Sequence, residues 1–297
     1  MDREYPPGAL ESVQQIETDM LAEIDRICRE NGLVYWVDGG TCLGAVRHRG
    51  FIPWDDDIDV GMPMEDFLRF EELAKTELPK DVSLHVMKSD STQYVLWGKL
   101  YKESTTFMES DAVQAGCDEC VFVDIFPYIR LDERHGDHGV GHLRRTQLWT
   151  KLIYIYRIKD PNVLKALSWR ALAKVGWSAI RAVLHLVTNQ DKLRMRFEKA
   201  CVAKNPSEWW GNPSAARPYP FHHDTLMPPV ELSFGDLTVF APRDWNRFCS
   251  DLYADYMQLP PTDKRKSHSP LVLDLGDGVG YDWREGSPFV ATAYEGA

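Results

Sequence analysis

The chain has 297 residues, of which 44% are hydrophobic, 27% charged and 11% aromatic. This composition excludes wholesale disorder, collagen and coiled coil, and the length suits one large domain or two ordinary ones. The formal net charge of −11 argues against a general nucleic-acid-binding protein, because the phosphate backbone would repel an acidic surface. Residues 1–8 lack the apolar centre of a signal peptide, and no stretch has the roughly 20 apolar residues of a spanning helix, so we expect a cytoplasmic protein.

The first half of the chain alternates helix and strand signals. Apolar residues at helical spacing from Val13 to Ile27 predict a helix that ends at Asn31 and Gly32. The pattern then predicts, in order, a strand over 33–37, a break at Gly39 and Gly40, a helix over 41–48, a loop over 51–54, a strand around 58–60 and a helix over 64–78. Further strands are predicted over 82–87, 94–101 and 120–126.

The middle of the chain differs in charge, because residues 139–190 contain nine basic residues and a single acidic one, Asp160. At 100° per residue, one helix face carries Arg170, Lys174, Arg181 and His185. Another face carries Trp169, Leu172, Gly176, Ile180, Val183 and Val187. Two interpretations remain open: a peripheral contact with the inner face of a membrane, to which Trp169 and Trp177 would contribute, or an internal helical hairpin whose apolar face packs on the catalytic domain. The second is favoured, because buried amphipathic helices are far commoner.

Four aspartates, Asp55, Asp56, Asp57 and Asp59, stand within five residues between Trp54 and Val60. Two carboxylates about 5 Å apart at an effective dielectric of about 20 repel by about 3 kcal/mol. A hard divalent cation would remove that repulsion, and oxygen ligands suit Mg²⁺ or Mn²⁺. Asp57 and Asp59 point to the same side of a strand and are the predicted metal ligands, whereas an acidic surface turn is the alternative.

Two further features support a reaction on a phosphate compound. Gly39, Gly40 and Thr41 follow a strand and open a helix, so their backbone N–H groups can face a phosphate, although a plain tight turn is the alternative. Asp124 stands inside the apolar run 121–127 and needs a partner there, either a cation or an arginine. As a metal ligand or general base it would complete a triad with Asp57 and Asp59, and the alternative is a buried aspartate that caps a turn.

Together these residues form a long motif: the run from Gly40 to Asp59 resembles the signature of the LicD family, which includes bacterial phosphocholine transferases and is related to fukutin and fukutin-related proteins. Three later segments also resemble family elements: 99–105, 123–127, and 240–242 with 252–261. The one departure is Ala254, where the family usually has glycine, and we expect it to matter little. The similarity spans about residues 33–268.

This resemblance implies an α/β (α+β) fold, with a nucleotidyltransferase-like mixed sheet flanked by helices and a basic helical insertion. We therefore predict a catalytic core over 1–135, a basic amphipathic segment over 136–204, and a return to the catalytic domain over 205–297. The implied enzyme is a phosphotransferase that depends on Mg²⁺ or Mn²⁺. Its donor would be a CDP-alcohol, such as CDP-choline or CDP-ribitol, and CMP would be released. The acceptor of the phospho-alcohol would be a hydroxyl of a cell-surface glycan or its lipid-linked precursor.

By the same resemblance, Asp57 and Asp59 would bind the metal, with Asp55 or Asp56 nearby and Asp124 as the third acidic position. Gly40 and Thr41 would approach the diphosphate, and Arg47 and Lys99 would neutralise phosphate charge; a structural bridge to an aspartate is the alternative for Arg47. Cys117 and Cys120 have zinc-like spacing without a second pair, and we interpret them as free thiols. The alternative activity is a nucleotidyltransferase that uses a nucleoside triphosphate and releases pyrophosphate.

Overall fold

A computed structural model describes residues 5–160, 170–276, 278, 280–283 and 291–292. Its centre is a seven-stranded sheet in which five strands run in the order β1 (Trp36–Val37), β2 (Ile58–Pro63), β6 (Val121–Asp132), β4 (Gly98–Lys102) and β3 (Val82–His85). Strands β2 and β6 are parallel, and the other described pairs in this sheet are antiparallel. The predicted α+β class with a mixed sheet is therefore confirmed.

Strand β6 is longer than predicted. The sequence suggested an end at Phe126, because Pro127 follows and proline cannot donate to a strand ladder. In the structure the strand continues to Asp132. Pro127 is tolerated because it falls between two partners: β4 pairs with β6 as far as Ile125, and β7 (Pro206–Gly211) begins to pair at Ile129.

Helices cover the sheet and position its loops. Helix α1 (Ala9–Asn31) and helix α3 (Met64–Glu77) begin and end close to their predicted bounds. Helix α2 (Gly39–His48) begins two residues earlier than expected, since Gly39 and Gly40 form its first turn. Short elements follow β4: β5 (Thr106–Met108) and α4 (Ser110–Ala115).

The segment predicted as helical contains three helices: α5 (Val140–Arg157), α6 (Arg170–Val187) and α7 (Gln190–Cys201). Lys165 and Trp169 lie outside the described residues, as does the side chain of Arg170. Helix α5 packs on β6 through buried Leu143. Among the helices of the described residues, none is both long and apolar enough to cross a membrane.

The preferred interpretation of α6, with its apolar face buried, is wrong. Leu172, Ile180, Val183 and Val187 are exposed. The polar side of the helix faces α5 and the residues after it instead: the His185 ring stacks on Tyr156 of α5, and Lys174 forms an ion pair with Asp160. The sequence period identifies residues that share a face, but it does not say which face points inward.

The remaining chain returns to the core. Strand β8 (Phe221–His222) pairs with β7, and a separate hairpin joins β9 (Val230–Phe234) to β10 (Leu237–Ala241). Short helix α8 (His223–Leu226) leads into that hairpin, and α9 (Trp245–Tyr253) follows it. Strands β11 (Val272–Asp274), β12 (Gly280–Asp282) and β13 (Ala291–Thr292) form a small sheet with β5.

Candidate active site

The N-terminus of helix α2 lies against the acidic run. The Asp38 carboxylate accepts a hydrogen bond from the Gly39 N–H and caps the helix, and the Tyr128 hydroxyl donates to the same carboxylate. Burial raises the pKa of Asp38 to about 6, although both hydrogen bonds oppose the rise. Gly39 has φ +47°, and a Cβ built there would lie 2.9 Å from Asp59 Oδ2. Glycine at this position therefore lets the Asp59 carboxylate approach the positive end of the helix.

Thr41, a predicted phosphate contact, has a structural hydrogen bond. Its side-chain oxygen accepts from the Asp59 backbone N–H at 2.8 Å, which ties α2 to the start of β2. A Cβ on Gly40 would lie 3.0 Å from Asp55 Oδ2, so Gly40 adjoins the first aspartate of the run. Whether Gly40 and Thr41 contact a diphosphate stays a prediction.

Three predicted residues form a row across the sheet. Asp59 on β2 is directly opposite Asp124 on β6, and Asp124 is directly opposite Lys99 on β4. Paired residues on neighbouring strands project to the same face, so the sheet brings the two carboxylates and the ammonium group together. Burial, followed by the charges of Asp57 and Asp124, raises the pKa of Asp59 well above its ordinary value.

Lys99 is the buried cation of this row, with only 2% of its surface exposed. Its Nζ lies 3.4 Å from Asp124 Oδ1, 3.3 Å from Glu119 Oε1 and 3.2 Å from the centre of the Phe122 ring. Burial alone would lower the pKa of Lys99, but the charges of Asp124 and Glu119 raise it above its usual value. The charge of Lys99 is therefore largely balanced by these two carboxylates.

Asp55 and Asp57 complete the acidic cluster beside Asp59. Burial raises the pKa of the Asp55 carboxyl to about 8, and the charges of Asp57 and Asp56 add to the rise. Burial also raises the pKa of Asp57, against the opposing charge of His268. Neighbouring carboxyl groups with raised pKa values resist ionisation because their negative charges would repel each other. A divalent cation bound between such groups stabilises their ionised form.

Asp56 differs from its neighbours, because it is fully buried and both of its oxygens accept hydrogen bonds. Oδ2 accepts from the Tyr5 hydroxyl at 2.5 Å and from the Ser269 N–H at 3.1 Å, and Oδ1 accepts from the His268 N–H at 2.7 Å. Burial would raise the pKa of Asp56, but these bonds and the His268 ring hold it below its usual value. The geometry favours a structural role, in which Asp56 fastens residues 5 and 268–269 to the acidic loop.

Several charged residues that the sequence pattern did not predict also reach this site. The His268 ring lies 3.2 Å from Asp56 Oδ1 and 3.6 Å from Asp57 Oδ2. Burial would lower the pKa of His268, but Asp56, Asp57 and Glu109 raise it to about 11, so the ring is a cation at neutral pH. Burial raises the pKa of Glu109 to about 7 and that of Glu17 well above its usual value. No local motif marks these residues, since tertiary packing alone brings them to the loop.

Arg47 does not bridge to an aspartate in the described part of the chain. Its guanidinium donates to the Tyr256 carbonyl oxygen at 2.7 Å and to His48 Nε2 at 2.9 Å. This hydrogen bond joins α2 to the segment that follows α9. Contact between Arg47 and a phosphate stays a prediction.

A cavity of about 700 Å³ opens beside the row of charged residues. Asp57, Asp124, Lys99 and His268 line one side. The remaining lining includes carboxylates at Glu109 and Asp111. It is otherwise mainly aromatic, with rings from the segment before β4, from β6 and from helices α5 and α6: Tyr94, Trp97, Phe122, Tyr154 and Trp177. Tyr154 and Trp177 pack edge to face, with ring centres 5.8 Å apart.

Comparison with known proteins covers the same part of the chain. Residues 32–154, which contain the whole row of charged residues, match the family model described as LicD/FKTN/FKRP, nucleotidyltransferase domain. The lipopolysaccharide cholinephosphotransferase LicD of Haemophilus influenzae is 31% identical over 273 residues, which is 87% of this chain and 95% of that protein. This chain belongs to the LicD family.

Shorter similarities reach the animal branch of the LicD family. Human ribitol 5-phosphate transferase FKRP is 34% identical over 76 residues, 26% of this chain and 14% of that protein. Mouse ribitol-5-phosphate transferase FKTN is 33% identical over 49 residues, 16% of this chain and 11% of that protein. This LicD-family chain is accordingly an enzyme, a transferase of phosphorus-containing groups.

Within this LicD-family chain, Cys117 and Cys120 are free. Burial raises the pKa of both thiols to about 11, so they are protonated at neutral pH. Among the described residues, the one group of three potential ligands with atoms within 4.8 Å of each other is Asp56, Asp57 and His268, which includes neither cysteine.

Proposed function

We propose that this chain transfers phosphocholine from CDP-choline to a hydroxyl of a cell-surface glycan or its lipid-linked precursor and releases CMP. The observation that carries the proposal is the aromatic cavity beside Asp57, Asp124 and Lys99. It offers one wall for a reacting phosphate and another for an alcohol group. The Haemophilus relative, a lipopolysaccharide cholinephosphotransferase that aligns over nearly its whole length, supports the same choice.

The alcohol is inferred from the cavity walls. A trimethylammonium group has no hydrogen-bond donor, and it binds through the faces of aromatic rings and through nearby negative charge. Tyr94, Trp97, Tyr154 and Trp177 supply rings, and Asp111 supplies a carboxylate whose Oδ2 accepts from the Tyr154 hydroxyl at 2.5 Å. Ribitol would instead need a hydrogen-bond partner for each of its hydroxyls.

In the proposed reaction the acceptor hydroxyl attacks the phosphorus that carries choline. A new phosphorus–oxygen bond forms, the bond to CMP breaks, and CMP leaves with the electron pair. The hydroxyl proton passes to a carboxylate, for which Asp124 is the candidate because it lines the cavity. Lys99 holds Asp124 on one side, and the chain positions the reactants rather than forming a covalent intermediate.

The residues present fit a divalent cation. Asp124 Oδ1 is buried and makes no hydrogen bond among the described residues, and its charge contact there is the 3.4 Å ion pair with Lys99. The pKa of Asp59 stands well above its ordinary value because the site is buried and crowded with carboxylates. Asp57 and Asp59 would hold Mg²⁺ or Mn²⁺ with Asp124 beside them, since Asp56 is committed to its own hydrogen bonds. Among the described residues the oxygens of these three carboxylates do not all lie within 4.8 Å of one another, so a bound cation would draw them together. Such a cation would neutralise charge on the donor phosphates and on the leaving CMP.

The test is CMP release from purified protein with Mg²⁺, offered CDP-choline, CDP-ribitol or CDP-glycerol together with a glycan acceptor. We expect release from CDP-choline, loss of release in EDTA, and loss of turnover in Asp57→Asn without loss of the fold. Trp97→Ala should raise the KM for CDP-choline more than it lowers kcat, because a ring of the cavity wall is removed.

A matched control is Trp245→Ala, because Trp245 begins helix α9 and does not line the cavity. Full activity of Asp57→Asn would refute the catalytic assignment. CMP release from CDP-ribitol alone would overturn the choice of choline. Pyrophosphate release from CTP would support the nucleotidyltransferase alternative instead.

A further inference from the structure

Helix α6 turns its apolar side away from the protein. Six residues share this outward face and are between 49% and 85% exposed: Leu172, Val175, Ile180, Val183, Leu186 and Val187. Single exposed apolar residues are ordinary, but a continuous apolar face along a helix of 18 residues indicates an interaction site. We call these six residues the outward face of α6.

The opposite side of α6 is held by polar contacts. Lys174 Nζ lies 2.6 Å from Asp160 Oδ2, and Trp177 Nε1 donates to the Ile158 carbonyl at 2.8 Å. The His185 ring stacks on Tyr156 at 4.0 Å between ring centres. Several contacts along the helix therefore fix its orientation, and the exposure of the apolar face is a consequence of that orientation.

The charge around α6 is opposite to that of the rest of the chain. Residues 139–204 contain 14 Lys and Arg against three Asp and Glu, a net charge of +11, in a chain whose total is −11. Several of these cations are exposed on α5 and α7, among them Arg144, Lys151, Arg196 and Lys199. The remaining residues thus carry −22, so an anionic surface would attract this segment and repel the rest.

We propose that the outward face of α6 docks into the headgroup region of an anionic phospholipid bilayer. An apolar helix face within a strongly basic segment is the pattern of an interfacial helix, which lies in the membrane plane without crossing it. Electrostatic attraction to anionic lipid brings the segment to the surface, and insertion of the apolar side chains then holds it there.

A second copy of the chain fits this face less well. A symmetric dimer through α6 would place the same patch against itself, so two segments of charge +11 would meet. Like charges brought together in this way oppose association. The charge pattern therefore favours the bilayer over self-association.

The docked helix is also a wall of the catalytic cavity. Trp177, on the side opposite the outward face, lines that cavity together with Tyr154. A bilayer bound to the outward face is therefore separated from the cavity by the thickness of one helix, about 10 Å. This placement suits an acceptor hydroxyl that is tethered to a lipid.

The experiment is co-sedimentation of the full chain with vesicles of phosphatidylglycerol and phosphatidylcholine in equal parts, without donor or acceptor. We expect binding that weakens as NaCl is raised, because salt screens the attraction. Vesicles of phosphatidylcholine alone should retain at least tenfold less protein. The double variant Val183→Glu with Leu186→Glu should lower the bound fraction at least tenfold.

The matched control is Leu68→Glu, since Leu68 on α3 is 50% exposed and lies outside the basic segment. It should bind vesicles like the parent chain. Absence of parent-chain binding to anionic vesicles, or equal loss in the control, would overturn the proposal. So would a dimer in analytical ultracentrifugation that the double variant converts to a monomer, because the outward face would then be a subunit interface. Vesicle binding requires no donor, so its failure leaves the proposed reaction intact.

Discussion

Replacement of Asp59 by asparagine should stabilise the metal-free protein while it abolishes transfer. Asp59 and Asp124 are opposite each other on parallel strands, and neighbouring strands are about 4.8 Å apart. Two full charges about 5 Å apart at an effective dielectric of about 20 repel by about 3 kcal/mol. The raised pKa means that Asp59 is partly protonated, which already relieves part of this repulsion. We therefore expect Asp59→Asn to raise the free energy of unfolding by about 1–2 kcal/mol.

The pH dependence of this gain has a definite sign. Asp59 keeps its proton to a higher pH in the folded state than in the unfolded chain, so the folded state loses stability as pH rises above about 4, the ordinary value for aspartate. The advantage of Asp59→Asn should therefore be smallest below pH 4 and grow towards the raised folded pKa. Unpaired carboxylates that weaken the apo fold are typical of a site selected for function.

The assay is scanning calorimetry in EDTA and then in Mg²⁺. At about 2 °C per kcal/mol for a chain of this size, the gain corresponds to a rise in Tm of about 2–4 °C in EDTA. Mg²⁺ should raise the Tm of the parent chain and have less effect on the variant. Asp236→Asn, at an exposed turn, is the control and should change neither value. A variant that is no more stable than its parent at pH 7 would refute the electrostatic reasoning.

Three further variants test the framework around the site. Ala254→Gly should raise the free energy of unfolding by about 1 kcal/mol, measured by urea titration. Ala254 has φ 57° and ψ −115°, a conformation that costs a non-glycine residue about 1–3 kcal/mol. Unchanged stability would argue against this strain. Gly39→Ala should lower the free energy of unfolding by at least about 1 kcal/mol and reduce turnover. The added Cβ would lie 2.9 Å from Asp59 Oδ2, on a residue with positive φ. Wild-type kinetics would contradict the close approach of Asp59 to Gly39. Tyr5→Phe should cost about 1–3 kcal/mol by removing a donor from buried Asp56, and an unchanged Tm would show that the bond contributes nothing.

Ala254 has a backbone conformation that favours glycine. Alanine in place of the usual glycine was expected to matter little. The structure shows a positive φ at this residue, immediately after Tyr253. The Tyr253 hydroxyl lies near the start of α2, 3.8 Å from a Cβ built on Gly39. The substitution therefore places backbone strain beside the acidic cluster.

The sequence predicted the parts of the site that local patterns determine. Asp59 lies on β2 and Asp57 directly precedes that strand, so the predicted strand over both is one residue too long, but the charge of Asp57 does act on Asp59. The lone aspartate in an apolar run identified Asp124. Lys99 was predicted from the family motif, and the sheet places it opposite Asp124. The division of the chain at residues 135 and 204 stays a prediction.

Features that depend on tertiary packing were not predictable in the same way. His268 lies more than 200 residues from Asp56, and only the closed fold brings the two together. Glu17 occupies a regular helix, where its buried position beside the acidic loop leaves no local mark. The extension of β6 beyond Pro127 depends on where β4 ends and β7 begins, which are properties of other strands.

The length of strand β6 fixes how far the reacting centre stands from the base of the helical segment. Asp124 lies near the start of β6, and Asp132 at its end accepts hydrogen bonds from the backbone N–H groups of Lys204 and Asn205, where the chain leaves that segment. Eight residues of strand span about 26 Å. Pairing with β2 as far as Tyr128 and with β7 beyond it holds the strand in place, although its register with β7 shifts between Arg130 and Asp132. The acidic row and the exit from the helical segment are thus two points on one strand, and the end of that segment cannot shift along β6 without breaking the hydrogen bonds to Asp132.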